Sequence, residues 1–133
     1  MGGRLHHVAL GARDVERVAA FYRDVLGLPE VLRHLDDAGA LRSIWLDLGG
    51  AILMVERTAQ PAHRVEGVGA GPFLIAVAVE PATRGQLERA LEQAGAPIEA
   101  RSEHSSYARD PEGNRVAISH YPTPGGACDG DLP

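Results

Sequence analysis

The apolar positions of this chain switch between a two-residue period and a helical period, and they do so twice in the same order. Leu5 to Leu10 alternates as a strand. Asp14 then stands where a helix N-cap belongs, Glu16 complements the helix dipole in the first turn, and Val15, Val18, Ala19, Tyr22, Val25 and Leu26 recur at helical spacing. Gly27 suits the left-handed position that ends a helix, and Pro29 bars continuation. Strands are predicted over 31–35, 41–48 and 51–57, separated by the turn sequences Asp36-Asp37-Ala38-Gly39 and Asp47-Leu48-Gly49-Gly50.

A second round follows. Phe73 to Val79 reads as an apolar strand, and Pro81 opens a helix that carries Leu87, Ala90, Leu91 and Ala94 on one side. Gly95 closes that helix, and Pro97 follows it as Pro29 follows Gly27. Strands are predicted over 98–103, 105–109 and 115–120; Asp110-Pro111-Glu112-Gly113-Asn114 is a turn with Pro at its favoured second position. Gly27-Leu28-Pro29 overlays Gly95-Ala96-Pro97 at an offset of 68, and His7-Val8-Ala9-Leu10 overlays Leu74-Ile75-Ala76-Val77 at 67. Asp47-Leu48-Gly49-Gly50-Ala51 overlays Asp110-Pro111-Glu112-Gly113-Asn114 at 63. Three anchors in the same order indicate a duplication of a βαβββ unit. The expected organisation is a first module over 1–57, a Gly/Ala/Pro-rich linker over 58–72, a second module over 73–120 and an irregular tail over 121–133, all within one α+β domain.

Composition removes several classes of function. At 133 residues the chain fits a single domain with one real core. The net charge is -5 and the 13 basic residues, all arginine, are scattered, so the clustered basic footprint of a nucleic-acid binder is absent. Without lysine there is no Schiff-base lysine and no P-loop lysine. No apolar run approaches the roughly 20 residues of a membrane span, and the N-terminal stretch has no apolar secretion core. The expectation is a cytoplasmic protein with neither a membrane nor a nucleic acid as partner. Cys128 is the only cysteine, which excludes an intrachain disulfide and paired-cysteine zinc sites. A Gly-rich phosphate loop and a serine elbow are also missing.

His7-Val8-Ala9-Leu10 with Asp14, then Ala20-Phe21-Tyr22-Arg23-Asp24-Val25-Leu26-Gly27-Leu28, and finally Asp110-Pro111-Glu112-Gly113-Asn114 before the last strand, resemble the vicinal-oxygen-chelate superfamily. That group includes glyoxalases, bleomycin-resistance proteins, fosfomycin-resistance enzymes and extradiol dioxygenases. The resemblance spans residues 5–120 and implies a fold rather than one chemistry. It implies two βαβββ modules forming a half-barrel around a cavity, the glyoxalase/bleomycin-resistance/dioxygenase fold, usually in a homodimer. In metal-dependent members it implies divalent-metal ligands at the start of the first strand and on the last strand of each module, with substrate oxygens chelating a Lewis-acid metal.

Carried onto this chain, those four positions hold His7, Met54, Leu74 and Ala117. Leucine and alanine cannot bind a metal, and a thioether is a poor ligand for the hard or borderline ions expected. One histidine does not hold a catalytic metal. Glu56, two residues beyond Met54 and therefore on the same strand face, and His104, on a turn of the second module, are the remaining candidates for completing a Zn, Mn, Fe or Ni site with His7.

Period-two alternation from His7 gives a cavity wall of Ile52, Met54, Glu56, Leu74, Arg115 and Ala117 among others, apolar with a few polar groups, as small-molecule pockets are. Trp45 and Tyr107 are strand aromatics able to stack on a flat ligand, Arg115 is able to clamp an anionic group, and Arg42 and Asp47 are polar neighbours. Three functions remain open. The first is a protein that binds a small organic molecule without the usual metal, sequestering it or acting on it with His7 as acid/base and Glu56 orienting that ring. The second is a divalent-metal lyase, isomerase or dioxygenase using His7, Glu56 and His104. The third is a non-catalytic dimer module.

Overall fold

The computed structural model describes residues 2–60, 66 and 74–125. Two compact units divide the chain, Met1–His63 and Arg64–Pro133. The first runs β1 (His7–Ala12), α1 (Val15–Ala20), β2 (Glu30–Leu35), β3 (Leu41–Asp47) and β4 (Ile52–Arg57). The second runs β5 (Leu74–Ala78), α2 (Arg84–Gln93), β6 (Ala100–Arg101), β7 (Ser105–Arg109) and β8 (Arg115–Ser119). Each unit is a four-stranded mixed sheet, ordered β1-β4-β3-β2 and β5-β8-β7-β6, in which the first and last strands of the unit are parallel and the other neighbours antiparallel. The class is α+β and both units are βαβββ modules.

Local chemistry explains the elements. Asp14 is the N-cap of α1 and its Oδ1 accepts the Arg17 N–H at 3.0 Å. After Ala20 the helix widens into a π-helical turn over Phe21–Val25, in which both Phe21 and Tyr22 are buried. Gly27 and Gly95 adopt φ of +75° and +81°, the left-handed geometry that ends each helix at the expected place. Pro81 begins a short 3₁₀ turn, Pro81–Thr83, before α2.

One face of each sheet is closed by the module's helix. In the first, Ile44, Leu46, Leu53 and Val55 are fully buried with Val18, Ala19 and Tyr22. In the second, Ser106, Ala108, Val116 and Ile118 lie buried with Leu91 of α2. The duplication survives residue by residue. His7 faces Ile52 across β1 and β4, and Leu74 faces Arg115 across β5 and β8, which preserves the offsets of 67 and 63 through the whole ladder. Trp45 opposite Met54 corresponds to Tyr107 opposite Ala117.

Several strand boundaries differ from those expected, most by a single residue. β1 starts at His7 rather than Leu5. The strand expected over 98–103 shrinks to Ala100–Arg101, because Ser102 turns back to donate its N–H to the Ser105 carbonyl at 2.8 Å. Of the expected linker, Thr58 donates its N–H to the Ala12 carbonyl at 2.9 Å, and most of the remainder lies outside the described residues, as does the tail beyond Gly125. Among the described residues no helix is long and apolar enough to cross a membrane.

Candidate functional site

The face of each sheet turned away from its helix carries the residues singled out by alternation. Strand pairing sorts those of the first module into three rows. His7, Ile52 and Asp47 form the first; Ala9, Met54, Trp45 and Leu32 the second; Gly11, Glu56, Ser43 and His34 the third. In the second module the rows are Leu74, Arg115 and Arg109; Ala76, Ala117, Tyr107 and Ala100; then Ala78, Ser119 and Ser105.

His7 is exposed, and its Nδ1 lies 2.8 Å from Nδ1 of His6, with the rings edge-on at 5.1 Å. A single proton sits in that contact, one ring donating and the other accepting. Glu56 shares the face but not the row. It stands opposite Gly11, four residues along from Ile52, the partner of His7. At the strand rise that places the two backbones about 13 Å apart along the sheet. The register therefore separates the pair expected to act together.

Trp45 and Met54 lie side by side in the middle row. The indole tilts against the His34 ring at 4.9 Å. Trp45 Nε1 and His34 Nε2 are both buried and both lack a hydrogen-bond partner among the described residues. Beside the first row is a cleft of 430 Å³ lined by Arg4, Leu5, His6, Val31, Asp47 and Ile52.

The second module's face is more occupied by its own contacts. Arg115 is buried and donates to Glu99 Oε1 at 2.8 Å, and buried Arg109 donates to the same carboxylate at 3.1 Å and to the Gly113 carbonyl at 2.9 Å. The guanidinium read as an anion clamp is thus engaged by a carboxylate. Leu74 lies opposite Arg115, and Ala117 lies between Ala76 and Tyr107. His104 packs edge-on against His120 at 5.4 Å and Tyr121 at 5.2 Å. His120 donates from Nδ1 to the Thr123 carbonyl at 2.7 Å, which leaves Nε2 to accept from Arg84 at 3.1 Å. Arg84 also donates to Ser106 Oγ at 2.9 Å, and Ser106 donates to Glu88 at 2.6 Å. Burial pushes the Glu88 carboxyl up, but hydrogen bonds from Ser106 and Arg101 outweigh it and hold the group below its ordinary value.

The donor set tests the metal. The four positions offer one imidazole, one thioether and two hydrocarbon side chains. No cluster of three or more His, Cys, Asp or Glu side chains disposed to hold an ion occurs among the described residues. The residues present do not fit a catalytic divalent metal. His34, Glu99 and Arg109 are the site neighbours that sequence reasoning missed. Counting strand partners outward from the Asp36–Gly39 turn would have reached His34, but bulges between Glu30 and Leu32 and between His34 and Leu35 break that count.

The family model of the Glyoxalase/Bleomycin resistance protein/Dioxygenase superfamily matches residues 4–118. Among solved structures, lactoylglutathione lyase from Agrobacterium tumefaciens is 26% identical with a TM-score of 0.63, covering 89% of this chain and 93% of that one. The fosfomycin resistance protein FosX from Mesorhizobium loti is 18% identical with a TM-score of 0.72, covering 90% and 93%. A variant of FosX from Listeria monocytogenes, in complex with Mn(II) and 1S,2S-dihydroxypropylphosphonic acid, is 16% identical with a TM-score of 0.74, covering 90% and 94%. No curated protein matches the chain.

Proposed function

The chain belongs to the Glyoxalase/Bleomycin resistance protein/Dioxygenase superfamily, and from that footing we propose that it binds a small organic molecule on the helix-free face of its first module without the metal its relatives use. The observation that carries this reading is the set His7, Met54, Leu74 and Ala117 at the four ligand positions. On the first module Met54 supplies apolar surface where a ligand residue would stand, and Ile52 and Trp45 continue it across the sheet. The 430 Å³ cleft beside the first row is of a size that small-molecule sites have. FosX in complex with Mn(II) illustrates the alternative chemistry within the fold. Its transfer here would need His7 and Glu56 to meet, and four strand positions stand between their rows.

Sequestration needs nothing more than this face. Acid/base action by His7 is the second reading, favoured by a ring whose Nδ1 is turned to His6 and whose Nε2 makes no hydrogen bond among the described residues. A homodimer fits the exposed apolar residues of the edge strand β2, where Val31, Leu32 and Leu35 are 55%, 43% and 63% exposed. The test is a thermal-shift screen of small organic molecules in the presence of EDTA. A ligand at 100 times its Kd stabilises by about 2.7 kcal/mol. Stabilisation in EDTA supports the reading; stabilisation that appears only after Mn, Fe, Ni or Zn is added overturns it.

A further inference from the structure

The first module's open face differs in charge from the second's. Its ionisable acids are Glu56 in the third row and Asp47 in the first, and its bases are the imidazoles of His7 and His34. Three arginines of this module are paired away from Glu56: Arg23 with Asp24 and Glu30, Arg33 with Glu16 and Glu30, and Arg57, which alternates away from Glu56, with Asp36. Arg4 lines the cleft beside the first row, at the other end of the face from Glu56. Glu56 is half-buried, yet its carboxylate makes no hydrogen bond or ion pair with any described residue. Asp47 commits one oxygen to the Gly49 N–H at 2.7 Å. Ser43, next to Glu56 across the ladder, is buried and carries no charge.

We infer that this face selects an organic cation: a ligand whose ammonium or amidinium nitrogen meets the Glu56 carboxylate while an attached apolar or aromatic body lies over Met54 against Trp45. The inference rests on the binding face proposed above and adds the ligand's chemical class. Two features converge on it. A half-buried carboxylate without a partner favours a ligand that brings positive charge and N–H donors. Trp45, one row away, offers a ring face suited to a cation or to a flat body attached to one. An anionic ligand finds the opposite. The phosphonate held with Mn(II) in the Listeria FosX structure is of that kind, and here it would meet the Glu56 carboxylate.

Trp45 is the only tryptophan, so the protein has one indole N–H signal in a ¹H–¹⁵N NMR spectrum, at the site itself. The experiment titrates the full-length protein with benzamidine, benzylamine, benzyl alcohol, benzoate and phenylphosphonate in EDTA and follows that signal. The expected result is saturable movement with the two cations at a Kd at least tenfold below that of the anions, and a further tenfold weakening of the cations in Glu56→Gln with melting temperature retained. Glu56→Asp, which keeps the charge, is expected to restore part of the affinity and shows that a loss in Glu56→Gln is electrostatic. Movement with benzyl alcohol or the anions equal to that with the cations overturns the cation class and leaves the binding face standing. Tight cation binding unchanged in Glu56→Gln overturns the role of Glu56. An indole signal that none of the five moves overturns the cation inference and withdraws support from the face as a binding surface.

Discussion

His7 and Glu56 project from one face of one sheet, yet Glu56 pairs with Gly11 and His7 with Ile52, four residues apart along the strands. Groups so placed share no contact. His7→Ala and Glu56→Ala are therefore expected to be additive in stability, with a coupling below about 0.5 kcal/mol in a double-mutant cycle read by urea unfolding. A coupling of several times that size would show that the two side chains act together.

Leu53 and Met54 are neighbours in β4 with opposite environments. Leu53 is fully buried against the helix side and Met54 is half-exposed on the open face. Leu53→Ala is expected to cost about 3 kcal/mol, within the range of Leu truncations in cores. Met54→Ala is expected to cost under about 1 kcal/mol, as surface-side substitutions do. Equal costs in urea unfolding would mean that the open face is packed as tightly as the core.

Asp110 organises the turn before β8. Its Oδ1 accepts the N–H groups of Glu112 and Asn114, both at 2.9 Å, and its Oδ2 accepts the Asn114 side chain at 2.9 Å. Removing a buried acceptor leaves these donors unpaired, so Asp110→Ala is expected to destabilise by about 2 kcal/mol. A thermal melt unchanged by the substitution would contradict that role.

Glu88 sets a pH dependence. Its carboxyl is held below the ordinary value of 4.5 in the folded protein. A depressed carboxylate contributes stability that is present above the unfolded value and is lost as pH falls through the folded one. Glu88→Gln is expected to melt at a lower temperature than the parent at pH 7, with the difference closing below about pH 4. A difference that stays constant across that window would assign the loss to packing instead of charge.

Much of the fold was legible in the chain because its signals are local. Asp14, Gly27, Gly95 and the Asp110–Asn114 turn each act within a few residues, and alternation alone placed Leu53 and Val55 opposite Met54 and Glu56. The π-helical turn at Phe21–Val25 was hidden because apolar residues continue at helical spacing through it. The rows were hidden for a different reason. Which residue stands beside Glu56 depends on the parallel register of β1 and β4, strands joined by some 40 residues of chain, and no local pattern encodes it. His34 was missed through the β2 bulges, and Arg115 read as a free clamp because Glu99 arrives from a separate segment. The four positions compared for a metal come from the family resemblance, together with the register that the duplication supplies.

The most direct test of the metal-independent site is metal content. The full-length chain would be incubated separately with Mn(II), Fe(II), Ni(II) and Zn(II), desalted, and analysed by plasma mass spectrometry beside His7→Ala. The expected result is well below one metal per chain for every ion, with no difference between the two proteins. One tightly held metal per chain, lost in His7→Ala, would contradict it.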